Sequence, residues 1–149
     1  MRRGVKVQLF SLSTRGFVDT GEGVMIAGFA VTGNAPKRML VRAVGPGLTT
    51  FGVGGVLADP FLTIYQNSTA IAQNDNWETP RPLNTTQTAA TAAEIALAAS
   101  STGAFALASG SKDAAIVMTL APGSYTAIVN GANNSTGAAL LEVYQLPSQ

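Results

Sequence analysis

The chain contains no cysteine and no histidine. Those two absences exclude disulfides, thiolate nucleophiles, imidazole acid–base chemistry and Ser-His-Asp triads, and they remove the usual ligands of zinc. Charge is scarce as well: 11% of residues are Asp, Glu, Lys or Arg, against roughly 25% in an ordinary soluble domain. There is one tryptophan. No apolar run approaches the roughly 20 residues of a membrane-crossing helix. The longest, from Val24 to Val31, is less than half that. The start, Met-Arg-Arg, is positive, but the residues after it alternate apolar and polar instead of forming the apolar stretch of an export signal.

What the chain has is a hydrophobic fraction of 46%, rich in alanine, together with 16 glycines in 149 residues. This is not the charge-rich, apolar-poor composition of a disordered chain. The length suits one compact domain with its own core. Net charge is +1, so nothing global attracts nucleic acid. Seven of the nine basic residues do fall in the first 42 positions (Arg2, Arg3, Lys6, Arg15, Lys37, Arg38, Arg42). Few aromatic residues lie nearby for base stacking, so these charges read as edge-strand protection, with no nucleic-acid partner and no membrane insertion.

Short apolar segments separated by Gly, Pro and Asn dominate the pattern. Val5, Val7 and Leu9 alternate with Lys6 and Gln8, as in a half-buried strand. Val24–Val31 is apolar on both faces and predicts a central strand covered from both sides. In Lys37–Val44, Met39, Val41 and Ala43 share one face while Arg38 and Arg42 take the other. Phe61–Tyr65 and Ala70–Ala72 flank Gln66-Asn-Ser-Thr69, a hairpin signal. A polar loop follows from Asn74, and Thr88–Ala99 is the one helical stretch. Three further strands close the chain, over Ala114–Leu120, Ser124–Val129 and Ala139–Leu146. Seven to nine strands with a single helix exclude a parallel α/β fold. They predict an all-β protein, an antiparallel two-sheet β-sandwich of jelly-roll type with one short Ala-rich helix. The expected organisation is an N-terminal strand over 1–12, placed to pair with a neighbouring subunit, and a single sandwich domain over 13–149.

Several motifs in order carry a resemblance. They are SLSTRGFVDTGEGVMIAGFAVTG (11–33), PKRMLVRAVGPGL (36–48), FGVGGVLADPFLTIY (51–65), NDNW (74–77) and the stretch from Gly103 to Leu146. Together they resemble a β-sandwich module of secreted and surface proteins of environmental bacteria. From Asp59 onward the D-P-x-L-T-I-Y strand, the N-D-x segment and the P-G-S-Y-T-A-I-V strand also resemble bacterial pre-peptidase C-terminal domains. Those are sandwiches appended to secreted enzymes, some of which bind calcium or a polymer. The resemblance implies an extracellular or cell-surface, non-catalytic module.

Candidate sites are few. Asp59 and Asp75, with Asn74, Asn76 and Glu78 close by in sequence, form the densest group of oxygen ligands. Ca²⁺ needs six to eight such oxygens, and the competing reading is a turn whose Asn and Asp bond their own backbone. Trp77, in a polar loop, is a candidate contact for a polysaccharide, against the alternative of a loop anchor packed over the sandwich. Asp59, Asp75, Glu78 and Glu94 show no spacing that would make a glycosidase pair, and Ser109-Gly-Ser-Lys112 reads as a turn. The expected function is therefore structural, through self-association or attachment to other surface proteins, with Val5, Val7 and Leu9 as the subunit interface and no obligatory cofactor. The alternative is a calcium- or polysaccharide-binding appendage using Asp59, Asp75 and Trp77.

Overall fold

A computed structural model describes residues 10–147. Within them lie eight strands: β1 (Ser11–Val18), β2 (Met25–Val31), β3 (Lys37–Val44), β4 (Pro60–Gln66), β5 (Thr69–Asn74), β6 (Ala114–Leu120), β7 (Gly123–Gly131) and β8 (Gly137–Gln145). One helix, α1 (Ala92–Thr102), precedes β6. The strands form two four-stranded sheets, β1-β8-β3-β6 and β2-β7-β4-β5, and every pairing in both is antiparallel. The pairs β1:β8, β2:β7, β3:β6 and β4:β5 nest inside one another along the chain. This is one long hairpin ribbon wrapped into two layers, the wiring of a jelly roll.

The ribbon's innermost turn is the predicted hairpin. Gln66 pairs with Thr69, and Asn67 takes the left-handed conformation at φ 55°, which asparagine tolerates better than most residues. Inward side chains of both sheets make the main core, with Met39, Val41 and Ala43 of β3 meeting Leu62 and Ile64 of β4 and Tyr125, Ala127 and Val129 of β7.

A second apolar cluster sits on the outer face of the first sheet. There Leu40, Ala115 and Val117 pack under Trp77, Ala90, Ile95, Ala98 and Ala99. The helix responsible begins and ends slightly later than predicted, at Ala92 and Thr102 instead of Thr88 and Ala99. Its start is set by a capping box: Thr91 Oγ1 accepts from Glu94 N at 3.2 Å, and Glu94 Oε1 accepts from Thr91 N at 2.8 Å. Gly103, at φ 78°, terminates it. Eleven residues are too few for a stable isolated helix, for which about 12–15 are needed, so α1 depends on this packing.

The covering layer corrects two strand predictions. β3 and β6, not β2, are the strands buried on both faces. β2 is an edge strand whose outward side chains face solvent, with Ile26 60% exposed. Its continuous apolar run reflects small outward residues, Gly28 and Ala30, rather than a second covering layer. Arg42 likewise is not a solubilising charge: it is fully buried.

Candidate functional site

The two lateral sides of the sandwich are built differently. One side carries edges β5 and β6, and the loop 75–91 closes it with side-chain amides. Asn74 Oδ1 accepts from Ala115 N at 3.1 Å while its Nδ2 donates to Thr79 O at 3.2 Å. Gln87 accepts from Thr119 N at 2.8 Å through Oε1 and donates to Thr119 O at 2.6 Å through Nε2. A primary amide thereby imitates one residue of an added strand. Asn84 N donates to Ile71 O at 3.0 Å and its Nδ2 to Ala70 O at 3.1 Å, which covers β5. Trp77 N donates to Asp113 O at 2.8 Å just before β6 begins. Replacing Gln87 with alanine leaves both Thr119 groups unmatched. The expected cost is about 1–3 kcal/mol, read by urea denaturation, and an unchanged midpoint would refute the strand-mimic role.

The other side carries edges β1 and β2, which pack on each other across the sandwich. Among the described residues, no loop or side chain hydrogen-bonds to their outward backbone groups. Such an edge is a template for a further strand. The gap between the sheets here is only part-covered: Leu12, Gly16, Met25 and Ala27 are half-buried. Phe17 and Ile26 stand exposed beside it, 64% and 60% accessible. Asp19 and Glu22 lie in the short turn joining β1 to β2. Val5, Val7 and Leu9, the expected interface residues, lie outside the described residues; the strand that follows them begins at Ser11 and runs through the boundary expected at residue 13.

Asp59 lies within the field of the Asp75 carboxylate. Burial first, then the neighbouring Asp75 carboxylate, push the Asp59 carboxyl above the usual carboxylate range, while Lys112 pulls the other way. Asp59 Oδ1 is enclosed without a hydrogen-bond partner. Among the described residues no third acidic side chain joins them. Trp77 is 7% exposed, and its indole Nε1 donates to Ala108 O at 2.9 Å. The indole is thus an anchor between the loop 75–91 and the segment before β6, with neither face presented to solvent.

The chain's main polar constellation, which sequence reading missed, lies beneath that anchor. Arg42 and Glu142 are register partners on β3 and β8. Arg42 Nε donates to Glu142 Oε1 at 2.8 Å, and Nη2 lies 2.7 Å from the same oxygen without a well-directed hydrogen bond of its own. Nη1 donates to Phe105 O at 2.6 Å, and the guanidinium carbon sits 4.6 Å from the Phe105 ring centroid. Glu142 Oε2 accepts from Tyr144 OH at 2.6 Å. Asp113, also buried, accepts from Gly45 N at 2.8 Å and Gly47 N at 3.1 Å, and from Ser111 Oγ. These bonds tie the 103–113 segment and the turn after β3 to the outer face of the sheet. Alternation had put Arg42 on the face opposite the core; nothing in the local pattern announced that this face is covered.

Burial, then the bond to Glu142, push the Tyr144 phenol up to about 12. A raised folded pKa means stability that is intact below the unfolded value of about 10 and falls as pH rises from there toward the folded value. In an alkaline titration followed by tyrosinate absorbance, Tyr144→Phe should remove the latest-ionising component. A titration identical to that of the parent protein would contradict this assignment.

No family model matches the chain, and no curated protein matches it. Among solved structures, the pre-peptidase C-terminal domain of a collagenase from Bacillus anthracis matches with a TM-score of 0.49 and 13% identity, over 89% of this chain and 88% of that one. Among the described residues, no helix is long and apolar enough to cross a membrane.

Proposed function

We propose that this is a non-catalytic interaction module of an extracellular bacterial protein, whose task is assembly or attachment through the open β1/β2 side. The observation that carries the reading is the contrast between the two sides. Asn74, Asn84 and Gln87 cap edges β5 and β6, whereas β1 and β2 carry no such cap among the described residues. A fold that blocks one pair of edges this thoroughly and, among the described residues, leaves the other uncapped favours strand addition on that side. The extracellular placement rests on the resemblance of its motifs to modules of secreted and surface proteins. Light scattering and negative-stain microscopy of the full chain test the reading. Association is expected, and the double variant Phe17→Lys/Ile26→Lys should weaken it at least tenfold with little change in melting temperature, since both side chains are exposed and lysine guards edges. A strictly monomeric parent protein, or a double variant that associates as well as the parent, would sink it.

A second reading is favoured by one specific observation, the enclosed and unpartnered Oδ1 of Asp59 beside Asp75. These two carboxylates would hold a Ca²⁺ ion, with backbone carbonyls and water completing its six to eight oxygens. Calorimetry with CaCl₂ checks this: a saturable heat lost in Asp59→Asn/Asp75→Asn supports it, and no heat in the parent protein excludes it. Polysaccharide binding by Trp77 has no comparable support, because its ring is already packed and its donor already used.

A further inference from the structure

We infer that the strand docking on the open side is residues 2–9 of a second copy of this chain, running antiparallel to β1. The inference rests on the reading of that side as a strand acceptor and names its occupant. Three features of the chain lead to it. The segment Arg2-Arg-Gly-Val-Lys-Val-Gln-Leu9 immediately precedes the described residues. It alternates, with Val5, Val7 and Leu9 on one face and Lys6 and Gln8 on the other. Its apolar face fits the half-covered gap lined by Leu12, Gly16, Met25 and Ala27. Its charge fits too: antiparallel to β1, Arg2 and Arg3 arrive at the end where Asp19 and Glu22 sit.

Register follows from parity and charge. Leu12, Thr14, Gly16 and Val18 are the inward positions of β1, and Leu12 and Val18 belong to the core packing. Directly opposed residues share a face. Val7 therefore falls opposite an inward residue, and Gly16 is the one that leaves room, with only the Met25 side chain at 3.4 Å from where its Cβ would be. Val5 then meets Val18 and Leu9 meets Thr14. Gln8, not Lys6, lands opposite Arg15, which avoids two like charges face to face. Moving the segment by two residues in one direction would set Lys6 against Arg15.

The donor cannot come from the same molecule. Only Phe10 separates Leu9 from Ser11, and Ser11 is already paired with Tyr144, whereas an antiparallel return needs a turn of about two residues at least. The acceptor is therefore another chain. Reciprocal exchange closes a dimer, and one-way exchange continues as a filament.

Full-length variants test the occupant. Val7→Asp places a charge in the apolar gap and should weaken association about a hundredfold or more, leaving the melting temperature of the dissociated chain unchanged. Arg2→Glu/Arg3→Glu should weaken it several-fold at low salt, and adding Asp19→Lys/Glu22→Lys in the same chain should restore it. The amides of β1 should exchange slowly in the assembly and quickly in Val7→Asp. If Phe17→Lys/Ile26→Lys dissociates the particle but Val7→Asp does not, the open side stands and the N-terminal donor is overturned. If association survives both changes, the donor and the open-side reading fail together. A charge swap that restores nothing overturns the register.

Discussion

Truncating Glu142 to alanine should destabilise the sandwich by about 3–5 kcal/mol, because it leaves the Arg42 guanidinium buried without its counter-charge. Against a total stability of about 5–15 kcal/mol for a domain, that is about a fifth or more of what holds the fold. Arg42 is fully enclosed, with Phe105 O as its remaining acceptor, so no water compensates. The informative control is the double replacement Arg42→Met/Glu142→Leu. Exchange of a whole buried pair for apolar side chains is often neutral or mildly stabilising, so the double variant should unfold much closer to the parent protein in urea than Glu142→Ala does. A cost below about 1 kcal/mol for Glu142→Ala would place that pair in the class of exposed ion pairs and contradict the enclosed geometry.

Trp77→Ala comes next in size, at about 3–5 kcal/mol for loss of a large buried aromatic. The indole joins three parts of the covering layer: the loop 75–91, α1 through the cluster with Ile95 and Ala99, and the segment before β6 through Ala108 O. Trp77→Phe keeps most of the ring volume and loses the donor, so it should cost about 1 kcal/mol plus whatever strain Ala108 O suffers. The two variants, compared by denaturant unfolding, separate packing from hydrogen bonding. Were Trp77 a ligand platform instead, both changes would leave stability close to that of the parent.

Most of the strand layout was legible because it rests on short-range signals, although β1, over Ser11–Val18, was not among the expected strands. The alternation in Lys37–Val44, the Gln66-Asn-Ser-Thr69 turn and the apolar run over Ala114–Leu120 each settle their own neighbourhood, and the expected seven to nine strands with one helix leave little room for anything but a sandwich. What sequence could not show was which faces are covered. Arg42 and Arg38 occupy equivalent places in the alternation, yet only Arg42 lies under Phe105, and the two meet in space across 63 positions of chain. Val24–Val31 misled for the complementary reason, since an outward face of glycine and alanine reads as buried although it is bare. Asp59 and Asp75 were close enough in sequence to be grouped, and the Asp75 charge does act on the Asp59 carboxyl. Trp77 was singled out because it sits in a polar loop, which suggested exposure, yet it is buried, and the partner that fixes it, Ala108 O, lies 31 residues away.

The nested ribbon has a consequence for how the chain acquires its structure. β8 lies between β1 and β3, so among the described strands β1 has no neighbour in its sheet until residues 137–145 are in place. Each outer pair closes a longer loop than the one inside it, and such remote pairings slow folding toward the millisecond-to-second range typical of all-β domains. During synthesis β1 must therefore wait unpaired, and β3 with only its β6 edge matched, until residues 137–145 emerge. The sparse charge and small apolar faces that serve the finished module are, in that interval, its exposure to wrong partners.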